Sequence, residues 1–461
     1  MSKKIVLLSA LAIGLASTSL AQDQREIQLE SDSLIIRQID GRSVSELVRP
    51  ILISDGSKLT ANFGRDEGDG YIRFWGDVVV VEEGDTLRTD RLRYDKSSKV
   101  SVAEGDVRLS DGEVVLQSPS ATHYSDEDRT VFDEGVQYTD SLTILFADRA
   151  VYYTDTNMAV FSRNVRLVQD DLTLYADSVM YKREERQASA WGNIIVIRSK
   201  IGDSKQNYIL GETLYRDARV DSIFVGGGAK MAVIDSAEAD TLYVSAESLF
   251  LQGDDSLIAT DSVLVSTSSY TVTGDSLSTI TDGDDLQHTS IRGSPIAWLI
   301  DTQLIADSLN LISSVEVDSI FGNGNVFVAS LDSLSGRIQQ LKGQHLTLVM
   351  RQDSLRSMLI ERSAESVFFL EREEGGQLAA YRGSGDGMRF DFVQGALNDV
   401  AFYTGVEGTY YPEHLFDQLS NLAGYIWEPD QRPDRDAIAS EFWAEIDRRM
   451  HTTSAVTTDE N

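Results

Sequence analysis

A repeat of 29 residues sets what this chain can fold into. Gly76-Asp77-Val78, Gly105-Asp106-Val107, Gly135-Val136, Asn164-Val165 and Gly192-Asn193-Ile194 place an aliphatic side chain at positions 78, 107, 136, 165 and 194. The interval never varies. Leu87, Leu116, Leu145 and Leu174 follow each of the first four, then Asp90, Pro119, Asp148 and Asp177, then Tyr94, His123, Tyr152 and Tyr181, again at constant offsets. Chemically matched columns at a fixed period of this length mark supersecondary units that bury their apolar faces only by stacking on their neighbours.

Within each unit the pattern is that of strands. In the run 71–80, Ile72, Phe74, Val78 and Val80 share one face, while Arg73 and Asp77 lie on the other. The parity recurs. Four residues before the key aliphatic stand Phe74, Ala103, Phe132, Phe161 and Ala190, and two after it Val80, Leu109, Tyr138, Leu167 and Val196. In the second strand of a unit the apolar phase slips by one beyond the leucine column, which implies a bulge or corner at Asp90, Asp148 and Asp177. Gly, Asp, Ser and Asn cluster between the runs, and there are six prolines in the whole chain. The fold class is therefore all-β, a stack of about 29-residue repeats. Past residue 200 the period loosens, but Ala246-Glu247-Ser248-Leu249, Ala306-Asp307-Ser308-Leu309 and Gly343-Gln344-His345-Leu346 repeat the corner. A recurrent Asp-Ser-aliphatic tripeptide, as at Asp261-Ser262-Val263 and Asp275-Ser276-Leu277, reads as a turn before a strand.

The N-terminus reads as an address. Lys3 and Lys4, an apolar run from Ile5 to Ala16 and the small residues ending at Ala21 make a signal peptide over residues 1–21. The run is too short to span a bilayer, and no later stretch is longer. With no cysteine in the chain there is no disulfide, no thiolate metal site and no cysteine to carry a lipid anchor. A net charge of −33 argues against nucleic acid as a partner. After a polar lead expected to fray to about residue 34, the stack occupies residues 22–200 and a degenerate continuation 201–378. A glycine- and aromatic-rich closing module follows at 379–433. An amphipathic helix from Asp434 to Met450, with Ile438, Phe442, Ile446 and Met450 four apart, and a disordered tail complete residues 434–461.

The Gly-Asp-Val strand, the short polar turn and the aliphatic-x-Ala-Asp-x-aliphatic-x-Tyr strand resemble the OstA/LptA family of Gram-negative periplasmic lipopolysaccharide-transport proteins. The motif is fullest at Leu174, Ala176-Asp177, Val179, Tyr181 and Gly192-Asn193-Ile194. The resemblance is clear over about residues 60–200, and in texture it is to the longer OstA-like proteins of the Bacteroidetes type. It implies an elongated, twisted, open β-jellyroll, β-solenoid-like in its stacking, whose apolar interior holds acyl chains and whose sheet ends join partners by strand pairing. On this reading the lipid-binding residues are Phe74, Val78, Val80, Val107, Leu109, Phe132, Val136, Phe161, Val165, Leu167, Ile194 and Val196. The partners are lipopolysaccharide or a related glycolipid, and other transport components or a second copy through β-strand augmentation. The location is the periplasm, with outer-membrane association as a further option. The alternative is an exported structural or adhesion-type β-solenoid with a filled core and no ligand.

Nothing in the chain points to catalysis or to a cofactor. His123 falls in a tyrosine column and His345 at a corner, so both read as strand positions. Gly253-Asp254-Asp255 and Asp282-Gly283-Asp284-Asp285 are acidic turns without the ligand spacing of a calcium loop, and no metal is expected. Phosphate-loop, nucleophile-elbow and zinc-protease motifs are missing.

Overall fold

The computed structural model describes residues 28–454, apart from 55–56, 83–84, 154–155, 157, 200–204, 236–239, 283–285, 300, 315–316, 333–335, 352–353, 372–377 and 394–395. The signal peptide and the acidic turn at 283–285 lie outside the described residues. Among those described, 32 strands pair antiparallel, and the one α-helix spans Arg435–Ser454.

Each long strand is bent at its centre, and the glycine columns explain how. Gly76 and Asp77 both have positive φ, as do Gly105 and Asp106, Arg163 and Asn164, and Gly192 and Asn193. Two consecutive left-handed residues make a bulge. Trp75 pairs with Arg91 and Val78 with Thr89, so Gly76 and Asp77 together oppose Asp90 alone. Likewise Arg163 and Asn164 oppose Asp177, since Ser162 pairs with Ser178 and Val165 with Ala176. Two residues against one bends the strand and increases its twist. With one extra residue the bulged strand keeps its inward parity across the corner, as Phe74 and Val78 show, while the opposing strand slips by one, from Thr89 to Leu92.

Side chains fix the corner from one unit to the next. Asn193 Nδ2 donates to Asp177 Oδ2 at 3.0 Å, Asn164 Nδ2 to Asp148 Oδ2 at 2.6 Å, and Asn325 Nδ2 to Asp307 Oδ2 at 3.1 Å. The aspartate lies over the glycine of the following strand: a Cβ on Gly192 would sit 2.2 Å from Asp177 Oδ2. Position 192 therefore excludes a side chain for lack of space as well as for its φ of 74°. Asp177→Ala should lower stability by about 1 kcal/mol, the worth of a side-chain hydrogen bond of this kind. An unchanged melting temperature would show that the bond to Asn193 contributes nothing.

The bend divides the strands of the repeat into two walls. Segments 71–75, 91–95, 100–104, 120–124, 158–162, 178–182 and 187–191 pair in one wall, and 78–82, 85–89, 107–110, 115–118, 165–169 and 172–176 in the other. The apolar columns cover the facing sides, and the core lies between them.

The chain divides into two compact units, one from residues 1–201, 213–219 and 448–461, the other from 202–212 and 220–447. In the second unit the corner persists with different residues: Gly227-Gly228, Asp261-Ser262, Gly293-Ser294, Gly324-Asn325, Arg362-Ser363 and Thr404-Gly405 all have positive φ. This corrects the reading of two Asp-Ser tripeptides as turns. Asp261 and Ser262 form the left-handed pair within the strand Ser256–Ser266, and Asp275 is the single residue opposing them. Strands here lengthen, up to Ser354–Glu371, so the spacing of corners is no longer constant.

Two further expectations are corrected. The N-terminal lead is not frayed throughout: Gln28–Glu30 pairs with 51–53, and Ser33–Ile39 with Arg42–Val48, because backbone pairing holds residues that offer little side-chain pattern. The helix continues past Met450 to Ser454, and Asp434 accepts from the amide of Asp436 at 3.0 Å at its start. In the second unit the residues after the last strand return along the outer side of the sheet. Leu422 packs with Phe327, Ala329 and Val367, Trp298 Nε1 donates to the carbonyl of Glu428, and Gln303 accepts from its amide. The helix continues this layer through Phe442 against Tyr243 and Lys230 between Glu441 and Glu445.

Candidate functional site

The twelve residues singled out by the repeat all point between the two walls of the first unit. None is more than 4% exposed, and Phe132, Phe161, Val107, Val165, Ile194 and Val196 have no exposed surface. Phe132 and Phe161 belong to one wall, on segments bridged by the strand Arg149–Tyr153, where Ala150 pairs with both. Phe161 packs edge-on to Tyr138 of the other wall, with ring centroids 6.0 Å apart. The walls are therefore in contact here. Arg166, next to Val165 in sequence, is exposed on the outer side.

One position in this interior departs from the rest. His123 replaces the tyrosine of Tyr94, Tyr152 and Tyr181 and lies between Ser101 and Thr130 on the paired strands. Its Nδ1 is 3.0 Å from Thr130 Oγ1. An enclosed cavity of about 10 Å³, lined also by Val107, Leu109 and Phe132, adjoins it. His123 Nε2 and Ser101 Oγ, both at this cavity, have no hydrogen-bond partner among the described residues. The space and the two polar atoms suit a single water. Burial lowers the His123 pKa to about 4, which keeps the ring neutral.

The edges of the two walls meet along a polar seam. The turn after Lys182, at the edge of one wall, carries Arg183; the turn after Ser110, at the edge of the other, carries Asp111 and Glu113. Arg183 donates through Nη1 to Asp111 Oδ2 at 2.8 Å and also pairs with Glu113. Further along, Arg216 Nη1 donates to Gln169 Oε1 at 2.6 Å, with both residues buried. Tyr138 and Tyr181 meet edge to face beneath, with centroids 5.8 Å apart, and Tyr138 donates to Asp140 at 2.9 Å. Burial pushes the Tyr138 hydroxyl well above its usual range, and Asp140 adds to the effect. For Asp111, burial opposes the charged form, but the amides of Val114 and Glu113 and the Arg183 guanidinium outweigh it and hold the carboxyl below its ordinary pKa.

Sequence reasoning found the inner columns but not the seam. Arg183 and Asp111 are 72 residues apart, and neither belongs to a column of matched residues. On the outer side, an open hollow of about 930 Å³ lies against the corners at Pro119, Gly135 and Asp148, with Gln117, Phe146, Arg166 and Tyr175 in its walls. Among the described residues no three or more histidine, aspartate or glutamate side chains are placed to hold a metal ion.

The family model for OstA-like proteins matches residues 76–195. Among solved structures, the chain is similar to LptH, the LptA-homologous periplasmic component of the conserved lipopolysaccharide transport device of Pseudomonas aeruginosa. The identity is 13%, over 37% of this chain and 84% of that one, with a TM-score of 0.14. No curated protein matches the chain.

Proposed function

Residues 76–195 make this chain an OstA-like protein, and on that premise we propose that it is a periplasmic, non-enzymatic component of lipopolysaccharide transport and outer-membrane assembly. Acyl chains lie between the two walls against Phe132, Phe161, Val107, Val165 and the other inner residues. Partner components, or a second copy, add strands at the sheet ends. The observation that carries this reading is the match to the family repeat, coinciding with a contiguous apolar lining on facing walls. A photo-crosslinking phenylalanine analogue at position 132 or 161 should capture lipid in intact cells, and one at position 166 should not. Protein-only adducts at both inner positions would count against lipid binding.

A second reading, an exported structural solenoid without a ligand, draws support from one observation. The twelve inner residues are closed over by protein, as in an ordinary filled core.

A further inference from the structure

With the inner residues closed over, an acyl chain reaches them only if the walls part somewhere. The corners do not offer the place: there the backbone is continuous between the walls, and Asn164 with Asp148 and Asn193 with Asp177 tie neighbouring bends. Among the described residues, the contacts joining the opposite edges are between side chains. Resting on the lipid-binding reading, we propose that the seam spanned by Arg183, with Asp111 and Glu113, is the lateral gate of the interior, and that this ion pair is its latch.

The chemistry of the seam fits a joint that opens. The first unit places Arg183, Asp111, Glu113, Arg216 and Gln169 where its walls meet, polar contacts that can be exchanged for water or for a polar ligand. The Glu113 side chain is 78% exposed, that of Arg183 31% and that of Asp111 4%, so water and ions reach the outer half of the latch while Asp111 stays covered beneath it. The exposed Arg183–Glu113 pair contributes little to stability, and Asp111 keeps the amides of Glu113 and Val114 when the guanidinium leaves, so opening the latch costs less than unfolding a wall. Immediately inside lie Tyr138 and Tyr181, held by ring packing across the seam. The guanidinium that pairs with two carboxylates when closed is released on opening at the mouth of an apolar cleft. There it faces the side from which an anionic headgroup would arrive with its acyl chains, and a phosphate suits its fork of donors.

The absence of cysteine makes the test direct. In the full chain carrying Arg183→Cys and Glu113→Cys, a short reducible bis-thiosulfonate reagent can tie the seam, leaving Asp111 in place to cap its own turn through the amides of Glu113 and Val114. Uptake of fluorescently labelled lipopolysaccharide is followed in the tied protein and again after reduction, with circular dichroism confirming the fold in both states. The tied protein should take up lipid at least about ten times more slowly, with recovery on reduction. Glu113→Gln alone, which weakens the latch but leaves the guanidinium to receive the headgroup, should take it up faster than wild type. Equal uptake by tied and reduced protein would overturn the gate while leaving lipid binding intact. If wild type itself takes up none, the lipid-binding reading fails and the gate with it.

Discussion

A Phe161→Asp variant is expected not to fold. Phe161 has no exposed surface, and its strand neighbours across the sheet are Ala150 and Val179. Neither offers a hydrogen bond or a positive charge, and the facing group is the ring of Tyr138. An unpaired carboxylate buried there costs several kcal/mol on top of the lost aromatic packing. That is comparable with the ~5–15 kcal/mol that separates a folded domain from its unfolded state. The first unit should lose its cooperative melt, whereas Arg166→Asp, on the exposed side of the next segment, should melt close to wild type. A folded Phe161→Asp protein with a near-native melt would mean that water reaches this position without ligand and that the walls stand apart in solution.

The second large effect is acid sensitivity centred on His123. Its folded pKa of about 4 lies below the ordinary 6.5, so the unfolded chain binds a proton more readily. The sign follows: this contribution to stability is complete above about pH 6.5, declines as pH falls towards 4, and is fully lost below that. Its size is about 3 kcal/mol. In His123→Tyr, which supplies the residue held at 94, 152 and 181, the loss of stability between about pH 7 and pH 4.5 should shrink by most of that amount. Urea melts at the two pH values give the comparison. An identical pH dependence in the two proteins would show that the ring is protonated without penalty, through water at the seam.

The parts of this fold legible in the sequence are those with a local cause. A left-handed pair needs glycine or a short polar residue, so Gly76-Asp77, Gly105-Asp106 and Gly192-Asn193 stand out at a fixed interval. The inward columns follow from the pleat, keeping their parity through the corner on the bulged strand and slipping by one on the strand that opposes it. In the second unit the same corners are made by Gly227-Gly228, Asp261-Ser262 and Arg362-Ser363. No fixed residue pair identifies them, and longer hairpins destroy the interval. The seam and the outer layer have no local cause at all. Nothing about Arg183 selects Asp111 from the other acidic residues of a chain this negative. Nothing in the run from Leu419 to Trp427 announces that it lies against the cluster of Phe327, Ala329 and Val367. Those strands do carry a hint, since Val326, Phe327, Val328 and Ala329 are buried on both faces, and a strand covered on both sides reads as a continuous apolar run.

That outer layer bears on the order in which the molecule can be completed. In the first unit the corner bonds join residues about 16 positions apart, as Asn193 with Asp177, so each repeat can settle as soon as the next has been made. In the second unit the amide of Glu428 finds its acceptor on Gln303, 125 residues earlier, and Glu445 meets Lys230, 215 residues earlier. A ribosome or a translocation channel delivers the N-terminus first. The sheet around Phe327 and Trp298 thus emerges with its outer face bare and stays so until residues 419–428 have been delivered. During that interval it presents Phe327, Ala329 and Val367 to whatever is nearby. The segment 419–428 sets how long the newborn chain remains adhesive, and a chain cut before it would keep that face bare permanently.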